Sequence, residues 1–349
     1  MNNFYPGPSK VYESVPKLVK KAYNKGILSV NHRSPTFQKV YHKAVILLKE
    51  KLKIPAEYEV YFTSSATECW EIIAQSLIKE NSIHLYNGAF GEKWFKYTSK
   101  LKGEAKALTF NLDSEPEAQS YQQDTICLTI NETSNGTRVP LASLSAIRAT
   151  NPDALVAVDA TSSMAGQYIP FDKADICYAS VQKCFGLPAG LGIMICSPKA
   201  IARAEEIGER AHYNSLLFVR ENALKYQTHY TPNVLSIYLL MATLKKHGGI
   251  DKVDKLIQQR YESWLTFFSR YSQLQMLTGN TNVQSRTVLA IKAEAATIDK
   301  MKKKAISKGI ILGNGYGKWK EDTFRIANFP AIKDKEISNL EKFLKSFFK

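Results

Sequence analysis

The 349 residues include only five cysteines and six histidines, and neither type is arranged for a metal or a disulfide framework. Cys69, Cys127, Cys177, Cys184 and Cys196 are odd in number, lack ligand spacing and sit mostly in or beside apolar segments. That pattern excludes a disulfide-stapled scaffold and predicts reduced, buried thiols. No apolar run is long enough to span a bilayer, so no membrane segment is expected. The opening Met-Asn-Asn-Phe-Tyr-Pro-Gly-Pro has neither the charged nor the apolar region of a secretion signal, which makes the cytoplasm the expected location. Repeats, low-complexity tracts and disordered linkers are missing as well. Acidic residues are scarce beside basic ones, 32 against 47, for a net charge of +15. The basic residues are spread out. Short clusters appear only at Lys17, Lys20, Lys21 and Lys25 and at Lys300, Lys302, Lys303 and Lys304. No zinc-finger, RNA-recognition or helix-turn-helix signature accompanies them, so a nucleic-acid partner is not expected. The charge fits a soluble surface with an electrostatic pull on anionic small molecules.

What is present is an alternation of strand and helix. The strands Glu59–Thr63, Ile83–Tyr86, Ala105–Phe110, Thr125–Ile130, Ala154–Asp159, Ile176–Ser180 and Gly192–Cys196 are predicted from short apolar runs. Thr67–Lys79 and Leu141–Thr150 read as helices between them. Several of the strands are apolar throughout, as when helices cover both faces of a parallel sheet. In such a layered α/β domain the ligand sits beyond the carboxyl ends of the strands. The segments Ser64–Thr67, Gly88–Phe90, Asn131–Thr137, Asp159–Ser163 and Gln182–Lys183 fall there. After about Pro232 the texture changes to long helices, Leu235–Lys246 and Ile250–Phe268. Short strands at Thr287–Lys292, Ile310–Leu312 and Thr323–Ala327 and helices at Ala296–Lys308 and Lys333–Phe348 follow. The reading is a large domain over 1–235 and a small α+β domain over 236–349.

Lys183 lies just beyond an apolar strand and is followed by Gly186, Pro188, Gly190 and Gly192. A lysine there is either a solvated charge or an amine aimed into a cleft and activated by desolvation. Asp159 ends a strand of small and β-branched residues. It is either a cap or loop acceptor, or the carboxylate partner of a protonated ring nitrogen. Thr63-Ser-Ser-Ala-Thr-Glu68 opens a helix and is either a plain capping box or an anion site at a helix N-terminus. Phe90, on a glycine-flanked loop, either packs the loop or stacks on a flat ring. A lysine able to form a Schiff base and an aspartate able to pair a pyridinium nitrogen are the minimum for pyridoxal phosphate chemistry.

Seven motifs in order, Asn3-Phe-Tyr-Pro-Gly-Pro-Ser9, Asn31-His-Arg-Ser-Pro-Thr-Phe37, Asn131-Glu-Thr-Ser-Asn-Gly-Thr137, Val158-Asp-Ala-Thr-Ser-Ser163, Gln182-Lys183, Tyr230-Thr-Pro232 and Phe324-Arg-Ile326, run from end to end. With them the whole chain resembles the fold-type I, class V aminotransferases that use pyridoxal 5'-phosphate. The resemblance implies a large, mostly parallel seven-stranded sheet domain and a smaller C-terminal domain. It implies that Lys183 holds the cofactor covalently and shuttles the α-proton, and that Asp159 pairs the pyridinium. Phe90 would stack on the ring and Thr133 would bond near its hydroxyl, while Ser65, Ala66 and Gln182 would help cradle the phosphate. Thr231 matches the threonine given to that phosphate by a second subunit, which implies a homodimer with shared active sites. Arg325 would grip the substrate α-carboxylate with its guanidinium fork.

Within the family, His32 and Arg33 and the Tyr178–Lys183 stretch resemble the phosphoserine-type enzymes, where such a His-Arg pair reads the substrate phosphate. His-Arg-Ser-Pro also occurs in the alanine– or serine–glyoxylate enzymes, and Glu132–Gly136 and Gly315–Lys320 resemble those more. A Gly-His-Arg triplet is missing near Lys318, leaving Lys318 or Lys320 to contact a phosphate as a point charge. The expectation is a phosphoserine-type aminotransferase. The alternatives are a glyoxylate-type enzyme and, outside enzymes, a basic binding protein that kept the fold. A cysteine desulfurase is disfavoured because Cys184, beside the lysine, is poorly placed as a mobile nucleophile.

Overall fold

Seven strands form the larger sheet in the order Glu59–Thr63, Gly192–Cys196, Ile176–Ser180, Leu155–Asp159, Thr125–Thr129, Ser82–Tyr86, Ala105–Thr109. The computed structural model describes residues 1–348. Only Gly192–Cys196 runs against its neighbours; every other pairing among the remaining strands is parallel. The central strands are apolar on both faces because helices cover both. Val156 and Val158 join one core with Phe37, Leu48 and Ile237, while Leu155 and Ala157 join a second with Ile72, Trp94 and Leu216. Ala105–Thr109 differs: it is an edge strand with most of its side chains solvated.

The smaller sheet has five strands, in the order Asn2–Phe4, Ile310–Asn314, Thr323–Ala327, Val288–Lys292, Gln275–Met276. Two of these were not expected from the sequence. Gln275–Met276 is too short to carry a pattern. Asn2–Phe4 comes from the other end of the chain and pairs parallel to Ile310–Leu312. Burial of the Phe4 ring in a core with Trp264, Leu312 and Phe324 fixes it there. Helices Ile250–Phe268, Ala295–Ser307 and Asp334–Phe347 supply the rest of that core. Of the helix Ile250–Phe268, Ile250 belongs to the larger core and Tyr261, Trp264, Phe267 and Phe268 to the smaller one. The helix Val234–Leu244 packs on Pro35–Leu52 and buries Ile237, Leu240 and Leu244 under the large sheet. Among the described residues no helix is long and apolar enough to cross a membrane.

Because its first strand belongs to the small sheet, the chain must cross back over the large one. Residues 5–12 do so, with Ser9 N donating to Gln182 O at 3.0 Å and Tyr12 N to Gly186 O at 2.9 Å. This segment roofs the loop that carries Lys183.

Candidate active site

A cavity of about 400 Å³ opens between the carboxyl ends of the large sheet and the small sheet, a size typical of small-molecule sites. Strand ends supply Thr129, Asp159 and Ser180; the short hairpin strand Asn131–Glu132 supplies Asn131, and loops supply Thr133, Thr161, Gln182 and Lys183. The helix start adds Ala66 and Thr67, the small unit adds Tyr316 and Arg325, and the crossing segment adds Tyr5 and Gly7. Of the residues singled out in the sequence, Ala66, Phe90, Thr133, Asp159, Gln182, Lys183 and Arg325 therefore line one cavity.

The Lys183 loop is held by its own backbone. Val181 N donates to Leu191 O at 3.1 Å and Leu187 N to Val181 O at 3.2 Å, and a turn closes with Gly186 N on Lys183 O at 2.9 Å. Gly186 sits at φ +61°, and a Cβ there would come within 2.8 Å of the Tyr12 ring and 2.9 Å of Ala331 Cβ, so only glycine fits. The Lys183 ammonium donates to Thr133 Oγ1 at 2.7 Å and lies 5.1 Å from the centre of the Phe90 ring. Burial lowers its pKa from 10.5 to about 8, against the pull of Asp159 and Glu132 and with the push of Arg325. A surface lysine would keep its proton; this one yields it readily.

Asp159 is 5 % exposed, and burial raises its pKa. Its Oδ1 accepts from Thr161 N at 2.8 Å, and no ion pair engages it among the described residues. A buried carboxylate in that state calls for a cationic partner. The hydroxyls of Thr129 and Thr161 and the side-chain oxygen of Asn131 are buried without a hydrogen-bond partner, and all three residues face the cavity. Partnerless polar atoms occur elsewhere in the chain too, but these three share one cavity and so offer a polar ligand several hydrogen-bonding partners at once.

At the opposite end, Ser65 caps the helix Ala66–Ser76, accepting from Glu68 N at 3.1 Å. Ser65 itself does not line the cavity, although Ala66 and Thr67 do. Ser180 Oγ accepts from Ala66 N at 3.0 Å, so its own proton is left to donate. Below the cap, burial works against the charge of Glu68, but hydrogen bonds from His229 and Ser64 hold its pKa at about 2. A helix N-terminus with such hydroxyls beside it has the chemistry to suit an anion.

Phe90 lies in the first turn of the helix Ala89–Leu101, not on a loop. Gly88 gives no side-chain cap; Glu132 and Ser134, from the facing hairpin, cap the helix instead. Glu132 Oε2 accepts from Phe90 N and Gly91 N at 3.1 Å each, and Ser134 Oγ accepts from Ala89 N at 3.0 Å. This cap fixes the Phe90 ring, which stacks on Tyr316 at 5.3 Å. Arg325 is almost wholly buried, with Nε donating to Asn314 O at 2.7 Å and Nη1 to Thr133 O at 2.6 Å.

Besides Ser65, four expected contacts lie outside the cavity of the single chain. Thr231 and Arg33 are exposed, His32 is half-buried, and Lys318 is exposed with its ammonium 4.8 Å over the Trp319 ring. The sequence reading passed over Glu132, Ser180, Tyr316 and Lys93. Lys93 follows Phe90 by one helical turn, a signal lost when Phe90 is read as loop.

Residues 2–317 match the family described as aminotransferase class-V. Phosphoserine aminotransferase of Rhodococcus opacus strain B4 is 29% identical, over 96% of this chain and 92% of that protein. The crystal structure of a phosphoserine aminotransferase from Cytophaga hutchinsonii superposes with a TM-score of 0.93 at 31% identity, covering 99% of both chains. An alanine–glyoxylate aminotransferase from Nostoc superposes at 0.83 with 16% identity, over 99% of this chain and 94% of that one, a likeness of fold.

Proposed function

The chain belongs to the class-V aminotransferases, and on that premise we propose that it binds pyridoxal 5'-phosphate and transfers an amino group from phosphoserine to a 2-oxo acid or the reverse. The observation that carries the reading is the convergence of Lys183, Asp159 and Arg325 on one cavity whose orphaned hydroxyls and helix N-terminus suit a flat ring with a cationic nitrogen and a phosphate. When bound, the cofactor supplies an aldehyde that condenses with amines and a ring that accepts the electron pair left by the α-proton.

The chain's own groups do the rest. Lys183 anchors through Nζ, and its low pKa lets the free amine take and return the α-proton. Asp159 would supply the negative charge for a protonated ring nitrogen. Phe90 would stack on the ring. Ala66, Thr67 and Ser180 would hold the phosphate. Arg325 orients the substrate α-carboxylate, and Thr133 keeps Arg325 and Lys183 in register. The crossing segment at Gly7 shuts out water; a Cβ at Gly7 would lie 3.2 Å from Lys183 Cε. A binding protein that had lost the activity would have no need for a desolvated lysine and an unpaired buried aspartate.

The reading includes a homodimer in which Thr231, His32 and Arg33 complete the partner's site. The exposure of Thr231 and Arg33 supports it, as does the run of exposed apolar side chains at Tyr213, Phe218, Leu224 and Tyr226 that leads to Thr231. Five free, buried cysteines fit a reducing cytoplasm. The test is a single-turnover experiment on the cofactor-loaded enzyme with phosphoserine, serine, alanine and glutamate added separately. Fast change of the visible absorbance by phosphoserine and glutamate is expected. A response to alanine or serine with phosphoserine inert would overturn the substrate assignment in favour of a glyoxylate-type enzyme.

A further inference from the structure

Three cations line the cavity: Lys183, Arg325 and Lys93. The first two are buried and already bonded to Thr133. Lys93 is different. It stands on the helix Ala89–Leu101 at the cavity mouth, and its ammonium donates to the Tyr316 hydroxyl at 2.6 Å. No carboxylate pairs with it among the described residues, and the adjacent Glu92 is taken by Lys96 at 2.6 Å. An ammonium has three donors, so Tyr316 leaves Lys93 with two.

Its position is set by aromatic faces. The ammonium lies 5.5 Å from the centre of the Phe90 ring and 5.2 Å from that of Tyr316, within cation–π range of both. The two rings stack on each other, and the Arg325 guanidinium lies 5.3 Å from the Tyr316 ring centre. Arg325 and Lys93 thus flank one tyrosine, the first buried at the floor and the second at the mouth. With Arg325 and Lys183 assigned to the carboxylate and the amine, Lys93 is the one cation of the cavity lining left for a second negative charge.

We propose that Lys93 is a specificity-determining residue that binds the second negative charge of an amino donor, the phosphate of phosphoserine or the distal carboxylate of glutamate, and that Tyr316 holds its ammonium in place between substrates. This rests on the transaminase reading above. A neutral donor such as alanine leaves Lys93 on Tyr316 and gains nothing from it. A dianionic donor takes the two free donors and gains charge-assisted bonds in a half-closed site. Lys318, exposed over Trp319 and outside the cavity, has no such geometry.

The experiment compares wild type, Lys93→Met and Lys93→Arg as cofactor-loaded enzymes. Single-turnover rates are measured against the concentration of phosphoserine, glutamate and alanine, each alone, with inorganic phosphate as a competitor. Lys93 is exposed, so both variants are expected to fold, with cofactor content and melting temperature as controls. Lys93→Met should lower the phosphoserine-to-alanine and glutamate-to-alanine rate ratios about 10- to 100-fold and weaken inhibition by phosphate. Lys93→Arg should keep most of both. Equal losses on all three donors, or unchanged ratios, would overturn the role of Lys93 while wild-type use of phosphoserine left the transaminase reading standing. A wild type that uses alanine alone would overturn the phosphoserine reading and this inference together.

Discussion

Lys183 Nζ donates to the Thr133 hydroxyl at 2.7 Å, and the carbonyl of the same threonine accepts from Arg325 at 2.6 Å. One hairpin residue thus aligns the reacting amine with the carboxylate grip. Thr133→Val keeps the shape and the carbonyl but removes the hydroxyl. It should lower kcat about tenfold or more, as for a hydrogen bond to a charged group, with little change in KM for the α-carboxylate. Steady-state kinetics with two amino donors checks this. A raised KM with kcat intact would place Thr133 on the Arg325 side of the site alone.

The low pKa of Lys183 has a cost in the cofactor-free protein. Its folded value, about 8, lies below the ordinary 10.5 because of burial. Between those values the unfolded chain binds the proton that the folded chain has released, so stability rises with pH. Below pH 8 the penalty for a buried ammonium is fully present. Cofactor-free Lys183→Met should therefore be more stable than wild type at pH 7, and the gap should shrink from pH 8 toward 10.5, by at most about 1.4 kcal/mol per unit. Urea melts across that range measure it; a gap independent of pH would refute the desolvated amine. Turnover should be abolished at every pH.

Asp159 carries the opposite sign. Burial raises its pKa, so between 3.8 and the folded value the folded chain holds a proton that the unfolded chain has lost. Wild-type stability falls as pH climbs through that window. Cofactor-free Asp159→Asn should be more stable than wild type at pH 7 and equal to it near pH 4. The same variant should bind the cofactor weakly, because the ring nitrogen loses its counter-charge. Denaturant midpoints and a cofactor titration read the two effects separately.

The larger sheet was legible because its strands are short apolar runs separated by turns. Glu59–Thr63, Ile176–Ser180 and Gly192–Cys196 lie where the pattern puts them, and the others differ by a residue at an end. Lys183 and Asp159 stood out because one follows and the other ends such a strand, whereas Arg325 stood out only through the family resemblance of Phe324-Arg-Ile326. Contacts made across the chain were not. Asn2–Phe4 is three residues long, and nothing local tells it to pair with Ile310–Leu312. The helix holding Phe90 starts at a glycine, and its cap is Glu132, about forty positions away. A cap supplied by another segment leaves no mark beside the helix it starts.

The proposed sharing of sites makes a complementation prediction. Lys183→Ala and Thr231→Glu chains should each be inactive alone, the second through repulsion of the cofactor phosphate. In a dimer that exchanges Thr231, a mixed pair holds one site with both lesions and one with neither. Unfolding and refolding the two together should restore about a quarter of wild-type activity at random pairing. No recovery, with mixed dimers confirmed by mass, would mean that Thr231 does not serve the partner's site.

Gly88 tests the tertiary cap. A Cβ there would lie 2.2 Å from Glu132 Cγ and 2.7 Å from Ser134 Oγ. Glu132 cannot swing away freely, since its carboxylate holds the N–H groups of Phe90, Gly91 and Ser134 and the Ser134 hydroxyl. Gly88→Ala should therefore cost about 1–3 kcal/mol and displace Phe90. Glu132→Ala, which empties the space but strips the cap, should cost a similar amount by leaving buried N–H groups unpaired. The two lesions share one cause, so their costs should not add: in the Glu132→Ala background the two nearest clashes are gone and the methyl meets only the Ser134 hydroxyl, which has itself lost its Glu132 acceptor. A double-mutant cycle on urea midpoints would show a coupling of about 1 kcal/mol or more. Simple additivity would mean that Gly88 is required for its own backbone rather than for the approach of Glu132.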